Sequence, residues 1–205
     1  MKNLIYGRLN TTGRVLFLLS AALLIASLFF PWWYMNLVAP QYPEGLPMTV
    51  YANKIGGRID IINNLNHYIG MKEIQEEDFP ELKYMTYGVS LLAFLAVLTA
   101  LLRRNWLGLL TAGLGSAGGA LGIYRLWYWL HKYGTELDPQ AAMKIPPFTP
   151  PMIGTNQLAN FTTYTGFGLG GYLLGIGILL MVLSLWRFRQ WDEKSSSSAS
   201  LPSSS

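Results

Sequence analysis

The sequence lacks cysteine altogether and is poor in charge. Asp, Glu, Lys and Arg make up 13% of its 205 residues, against about 25% in an average protein, and two residues are histidine. Without a thiol the chain has no disulfide, zinc–thiolate site, iron–sulfur cluster or cysteine nucleophile. The fingerprints of serine hydrolases, zinc peptidases, P-loop proteins and dinucleotide-binding proteins are also missing. We therefore do not expect an enzyme, and the sparse basic residues do not favour a nucleic-acid partner.

Apolar residues, 51% of the chain, are concentrated in a few runs instead of being spread evenly. Four runs cover residues 15–33, 84–102, 106–130 and 166–186. Each run is long enough for a helix that crosses a bilayer. The pattern predicts an all-α membrane protein in which four transmembrane helices contact lipid. No run carries an acid, a histidine or a lysine in its middle, which argues against a proton or ion pathway.

Basic residues flank the predicted spans on one side, in segment 1–14, in the turn 103–105 and in the tail 187–205. The positive-inside rule places these segments in the cytoplasm, so a multi-pass inner-membrane protein with both ends inside is expected. The tail ends in a serine-rich stretch and is predicted to be disordered. Two outer loops, 34–83 and 131–165, would then form a periplasmic cap that contains a short helix and a small hairpin.

The last two predicted spans carry glycines at a spacing of four residues. Small residues at this spacing allow helix backbones to approach closely, so we expect helix packing within the bundle, or a homo-oligomer or partner face. The pairs are Gly115 with Gly119, Gly118 with Gly122, Gly166 with Gly170, and Gly171 with Gly175.

The segment Ile59–Met71 of the first outer loop is predicted to be a short helix with two different faces. Asp60, Asn64, His67 and Met71 fall at i, i+4, i+7 and i+11 and would share one face, opposite a mostly apolar one. Gly70 is the expected helix stop.

His67 and Met71 raise the question of a metal. Imidazole and thioether without thiolate suit copper, above all Cu(I), and an i, i+4 pair can point at one ion. His131, at the start of the second outer loop, would be a third ligand if the loops fold together. The alternative is a metal-free polar helix that is structural or docks a partner. Asp60 and Asn64 would serve either interpretation through hydrogen bonds.

Several segments of the first outer loop resemble one bacterial family. They are Ala39-Pro-Gln-Tyr-Pro-Glu-Gly-Leu-Pro-Met-Thr-Val-Tyr51, Asn53-Lys-Ile-Gly-Gly57, Ile62-Asn-Asn-Leu-Asn-His-Tyr-Ile-Gly-Met71 and Glu77-Asp-Phe79. The family is the NosB-like four-span membrane proteins of nitrous-oxide-reductase gene clusters. The resemblance implies a bacterial inner-membrane accessory protein for a copper-dependent respiratory enzyme, with His67 and Met71 as the positions to carry a metal.

Three functions stay open at this point. The first is copper binding, or docking of a membrane or periplasmic protein, through the periplasmic cap. The second is a metal-free structural or assembly subunit of a membrane complex. The third is a quinol-handling electron-transfer subunit, in which Trp127, Tyr128 and Trp129 would line a quinone pocket. The alternative for these three residues is an aromatic belt at the membrane interface.

Overall fold

The computed structural model describes residues 7–158 and 160–198, which form two compact units. The helical unit comprises residues 7–25, 89–119 and 174–198, and the sheet unit comprises residues 26–88 and 120–173. The elements in chain order are α1 (Thr11–Ser27), β1 (Trp33–Ala39), β2 (Tyr42–Val50), β3 (Ile55–Gly57), α2 (Ile59–Ile69), a 3-10 turn (Glu76–Asp78), α3 (Leu82–Leu102), α4 (Asn105–Thr135), β4 (Gly154–Leu158), β5 (Phe161–Phe167) and α5 (Leu169–Ser198).

The prediction of an all-α fold is wrong. The described residues contain a five-stranded antiparallel sheet in the order β3-β2-β1-β5-β4, together with five α-helices, so the fold is mixed α and β. The two predicted outer loops supply the strands: β1, β2 and β3 come from the first, and β4 and β5 from the second. They meet where β1 pairs with β5, with Leu37 opposite Thr163.

Strand β2 explains part of this error. Its sequence, Tyr-Pro-Glu-Gly-Leu-Pro-Met-Thr-Val, indicates a turn-rich segment because proline has no N–H to donate to a ladder. The strand nevertheless pairs on both sides. The carbonyl of Pro47 accepts a hydrogen bond from the Arg58 N–H at 2.9 Å, so this proline still fastens the strand to its neighbour.

The sheet unit has its own core. Side chains of β1 alternate, so Trp33 and Leu37 are buried on the face that also receives Leu46 and Met48 of β2. Ile62 of α2 packs into the same cluster and is 1% exposed. This alternation shows why Trp33 belongs to a strand and not to the first predicted span.

Helix α1 begins at Thr11, four residues before the predicted span, because Asn10 caps it. The Asn10 side-chain oxygen accepts the Gly13 N–H at 2.7 Å, the geometry of an N-cap. At the other end, the Trp32 indole N–H donates to the Ser27 carbonyl at 2.9 Å. The helix therefore has 17 residues and stops before the tryptophans.

The helical unit packs closely around small residues. Ala93, Ala96 and Ala100 of α3 are almost fully buried beside Phe17 and Met181, and small side chains at this spacing let helices approach. Buried hydroxyls are also paired. The hydroxyl oxygens of Thr99 and Thr111 lie 3.2 Å apart, and the Ser20 hydroxyl donates to the Gly177 carbonyl at 2.5 Å.

Two helices of the described chain, Leu82–Leu102 and Asn105–Thr135, are long and apolar enough to cross a membrane. Helix α1 and the apolar part of α5, Leu169–Leu185, are shorter, so the structure does not support four spans or the description of a four-helix membrane protein. The predicted fourth span began too early because residues up to Phe167 belong to β5. Helix α5 continues to Ser198, through much of the tail expected to be disordered; the tail beyond 198 lies outside the described residues.

We expect Ile62→Ala to lower the free energy of unfolding of the sheet unit by about 2–5 kcal/mol, because it leaves a cavity under α2. Denaturant titration of the purified chain, followed by tryptophan fluorescence, measures this change. Ile153→Ala is the matched control, since Ile153 is 61% exposed. Equal losses in the two variants would contradict the packing of α2 on the sheet.

Candidate functional site

Helix α2 ends in a left-handed turn that separates the two predicted copper ligands. Gly70 has a φ of +78°, and its N–H donates to the His67 carbonyl at 3.3 Å. The Met71 N–H donates to the Asn66 carbonyl at 2.9 Å, which completes a Schellman motif. The helix therefore stops at Ile69, and Met71 does not continue the helical face of His67.

The exposed face of α2 carries three of the predicted polar residues. Asp60, Asn64 and His67 are all exposed, and Tyr68 beside them is 61% exposed. Asp60 lies in the first turn and His67 in the last, the arrangement that the helix dipole favours. Within the part of the chain that the structure describes, the His67 side chain has no hydrogen-bond or ion-pair partner. This face is free to meet another molecule.

The three predicted metal ligands lie in three different settings. His67 is exposed, whereas Met71 is half-buried and lines a cavity. His131 is exposed, shares a 2.9 Å hydrogen bond with the Thr149 hydroxyl and stacks on Trp127 at 5.3 Å. Among residues 7–158 and 160–198 no group of three or more His, Asp or Glu side chains has the spacing to hold a metal. Copper binding by His67, Met71 and His131 stays a prediction.

A cavity lies under α2, on the face of the sheet that α2 covers. Its interior is about 60 Å³, and the space reaches about 520 Å³ when its open mouth is included. The sheet, the helix and the second outer loop each supply apolar walls, including Leu37, Phe161, Ile62, Leu65, Phe148 and Pro150. Two thioethers, those of Met35 and Met71, also face it. It is an apolar pocket of the kind that takes uncharged ligands.

Asn66 is the polar residue that the sequence patterns did not single out. It is 6% exposed, it lines the cavity, and its side-chain Nδ2 has no hydrogen-bond partner among the described residues. A buried donor left unpaired costs about 1–3 kcal/mol of folding stability, so the Asn66 amide destabilises the chain unless it finds a partner. The signal for it was present: Ile62, Asn66 and Ile69 fall at i, i+4 and i+7, which places the amide on the buried face.

An acidic segment borders the exposed face of α2. Glu73, Glu76 and Glu77 are exposed, and the Asn63 side chain ties the segment to the helix through both the N–H and the carbonyl of Ile74, at 2.8 and 3.0 Å.

Two further contacts fix this acidic segment. The Glu76 carboxylate accepts the N–H of Ile55 on the edge strand β3 at 2.8 Å. A hydrogen bond from the Lys72 ammonium at 2.6 Å lowers the pKa of Asp78 below its ordinary value, so Asp78 is ionised at neutral pH.

The aromatic residues predicted for a quinone pocket, Trp127, Tyr128 and Trp129, contact other protein groups of the described chain. Trp129 packs against Phe79 at 4.7 Å between ring centroids, and the Arg125 guanidinium lies 5.4 Å from its ring. Arg125 forms an ion pair with Glu81. Trp127 stacks on His131, as described above. None of the three aromatic residues lines the cavity under α2, and a quinone pocket formed by them stays a prediction.

The glycine pairs divide into packed and open positions. A side chain at Gly115 or Gly119 would meet Ile178 of α5, and at Gly115 also Leu92 of α3, so these two glycines lie in the helix packing. Gly118, Gly122 and Gly175 have nothing from the described residues within 4 Å of where a side chain would begin. Gly166 belongs to β5 beside Tyr34, and Gly170 and Gly171 approach the backbone of residues 27–32. The predicted pair of Gly166 and Gly170 is therefore not a helix–helix motif.

Comparison with models of known protein families gave no match. Comparison with curated proteins gave no match either. The resemblance of the first outer loop to the NosB-like proteins therefore stays a prediction from its residues, and the function has to be argued from the two units themselves.

Proposed function

We propose that this chain is a bacterial inner-membrane protein in which α3 and α4, the two long apolar helices of the described chain, cross the bilayer. The support is the outer surface of the helical unit, where large apolar side chains are exposed along several helices. Leu91, Phe94 and Leu101 of α3 are 58%, 61% and 63% exposed, Leu114 of α4 is 51% exposed and Leu179 of α5 is 54% exposed. Apolar surface of this extent is stable in lipid and costly in water.

The proposed orientation puts the α3–α4 turn in the cytoplasm, because Arg103 and Arg104 occupy it. The start of the chain belongs on the same side, since the Leu9 N–H donates to the Arg103 carbonyl at 2.9 Å. The opposite ends of α3 and α4, at Leu82 and Thr135, and the segments that adjoin them then lie on the periplasmic side.

The proposed activity is docking without catalysis. The chain serves a copper-dependent respiratory enzyme, in line with the resemblance to nitrous-oxide-reductase accessory proteins. The observation that carries this proposal is the exposed face of α2, with Asn64, His67 and Tyr68, bordered by the acidic segment of Glu73 and Glu77. Charge complementarity then requires a periplasmic partner with a basic docking surface. We call these exposed residues the docking surface: Asp60, Asn64, His67, Tyr68, Glu73 and Glu77.

A photo-crosslinker at Tyr68 tests the docking surface in cells that express the whole respiratory system. We expect it to capture one periplasmic protein of the copper enzyme's system, with a basic surface, and the double variant Glu73→Lys, Glu77→Lys to reduce the yield several-fold because like charges then meet. The same crosslinker at Tyr164 is the matched control, since Tyr164 is a sheet tyrosine that is 47% exposed.

Two results would contradict the docking proposal. One is equal capture from Tyr68 and Tyr164, which would indicate random collision. The other is capture of a membrane helix or an unrelated protein that the charge reversals do not affect. Loss of capture together with a lower melting temperature in the charge-reversed variant would show misfolding, so the melting temperature is measured for each variant.

Copper binding through His67 and Met71, with His131 as a third ligand, is the second candidate. The free imidazole of His67 favours it, because a neutral ring without another partner can ligate a soft cation. Met71 follows two residues after the end of the same helix. To bind one copper ion, the half-buried Met71 thioether and the exposed His67 ring would have to come together.

If copper is bound there, protein purified in detergent and reconstituted with Cu(I) will hold a single copper ion per chain by mass spectrometry. The double variant His67→Ala, Met71→Ala will lose it, and Met143→Ala, at a methionine that is 37% exposed, will retain it. No copper in the unaltered protein would reject this candidate. It would leave docking, or a metal-free structural or assembly role, as the function of the sheet unit.

A further inference from the structure

The cavity under α2 has the features of a ligand site that the docking surface does not use, and of the three predicted copper ligands it includes Met71. Its described lining residues include no ionisable side chain, so a charged ligand would find no counter-charge there. The walls are aliphatic and aromatic on three sides. Asn66 supplies a buried amide donor, 6% exposed and without a partner in the described part of the chain.

The missing partner of Asn66 defines the chemistry of the ligand. An N–H donor needs an acceptor oxygen, and the apolar walls need an uncharged body around that oxygen. The opposite wall adds Thr163, but its hydroxyl donates to the Asn156 carbonyl at 3.3 Å and is engaged within the sheet. The narrow interior of about 60 Å³ admits the end of a molecule, and the open mouth accommodates the rest.

We propose that this cavity binds an uncharged, largely apolar molecule whose end carries a carbonyl oxygen, and that the Asn66 amide donates a hydrogen bond to that oxygen. Two sources share this chemistry in a membrane: the ring carbonyl of a quinone and the ester carbonyl of an acyl chain. The proposal is independent of the docking surface, because the docking residues lie on the exposed face of α2 and Asn66 lies on its buried face.

The position of the site on α2 is consistent with this ligand. Ile62 and Ile69 flank Asn66 on the buried face, and Leu65 lines the same space. Replacing the amide by leucine would keep the volume and remove the unpaired donor, so selection for stability alone favours leucine at this position. An acceptor oxygen that enters the cavity would give the Asn66 amide the partner it lacks.

The experiment uses the full chain in lipid nanodiscs with carbonyl-¹³C probes. One arm uses duroquinone with durene as its carbonyl-free match, and the other uses methyl hexanoate with heptane. We expect saturable binding of a carbonyl probe, a downfield shift of its carbonyl resonance on binding, and at least about tenfold weaker binding of its match, the effect of one hydrogen bond. The arm that binds identifies the source.

Two variants separate recognition from folding. Asn66→Leu should bind the carbonyl probe about tenfold more weakly and abolish the resonance shift, while its melting temperature stays equal or rises. Gln157→Leu removes an amide from an exposed position of the edge strand β4. It should change neither the affinity for the carbonyl probe nor the resonance shift. If Asn66→Leu fails to fold, Met35→Phe, which fills the cavity from the sheet side, should block the probe in a folded chain.

Three outcomes would overturn the proposal. If no probe binds above the level of empty nanodiscs, the cavity holds water only. If carbonyl probe and match bind equally in the unaltered chain and in Asn66→Leu, the cavity is merely apolar. If Cu(I) displaces the probe and Met35→Leu abolishes copper binding, the two thioethers form a metal site. Crosslinking from Tyr68 is also measured in the Asn66→Leu variant. If the crosslinking yield is unchanged there, failure of the cavity proposal does not contradict the docking proposal.

Discussion

Pairing of β1 with two partners is the constraint on which the sheet unit depends. Strand β1 pairs with β2 through the nearby segment of the chain and with β5 through a remote one, so Leu37 lies opposite both Leu46 and Thr163. The ladders satisfy the backbone of two long connections that would otherwise be irregular. They also create the apolar face on which α2 packs. Without the β1–β5 ladder neither the core around Trp33 nor the cavity would have a second wall.

Helix α2 gives its two faces different tasks. The buried face, with Ile62, Asn66 and Ile69, closes the core and carries the amide that faces the cavity. The exposed face, with Asn64 and His67, does not pack on the core and is bordered by the acidic segment.

Local signals predicted the helices but not the sheet. Continuous apolar runs bounded by Arg103 and Arg104 gave α3 and α4 to within a few residues at their starts, and Gly70 marked the end of α2. Strands β1 and β5 pair across most of the chain, and no local pattern specifies such a partner. Pro43 and Pro47 further indicated turns where β2 forms a strand.

The residues of the candidate site were predicted only in part. A face drawn through His67 and Met71 extended α2 past its left-handed cap, and this placed Met71 on the polar side. Asn66 was overlooked because an isolated amide among apolar residues shows no chemistry until its missing partner is visible. The spacing of Asn66 with Ile62 and Ile69 predicts its burial, but the missing partner of its amide is visible only in the packed structure.

The central proposal is that α4 crosses the membrane, with Arg104 on the cytoplasmic side and Gln157 on the periplasmic side, and the absence of cysteine makes it directly measurable. Single cysteines at Gln157 and at Arg104, both exposed, are treated with a membrane-impermeant maleimide in intact spheroplasts and again after lysis. The account predicts that Gln157→Cys reacts in intact spheroplasts and Arg104→Cys only after lysis. Reaction of both before lysis, or recovery of the chain in the soluble fraction, would contradict it.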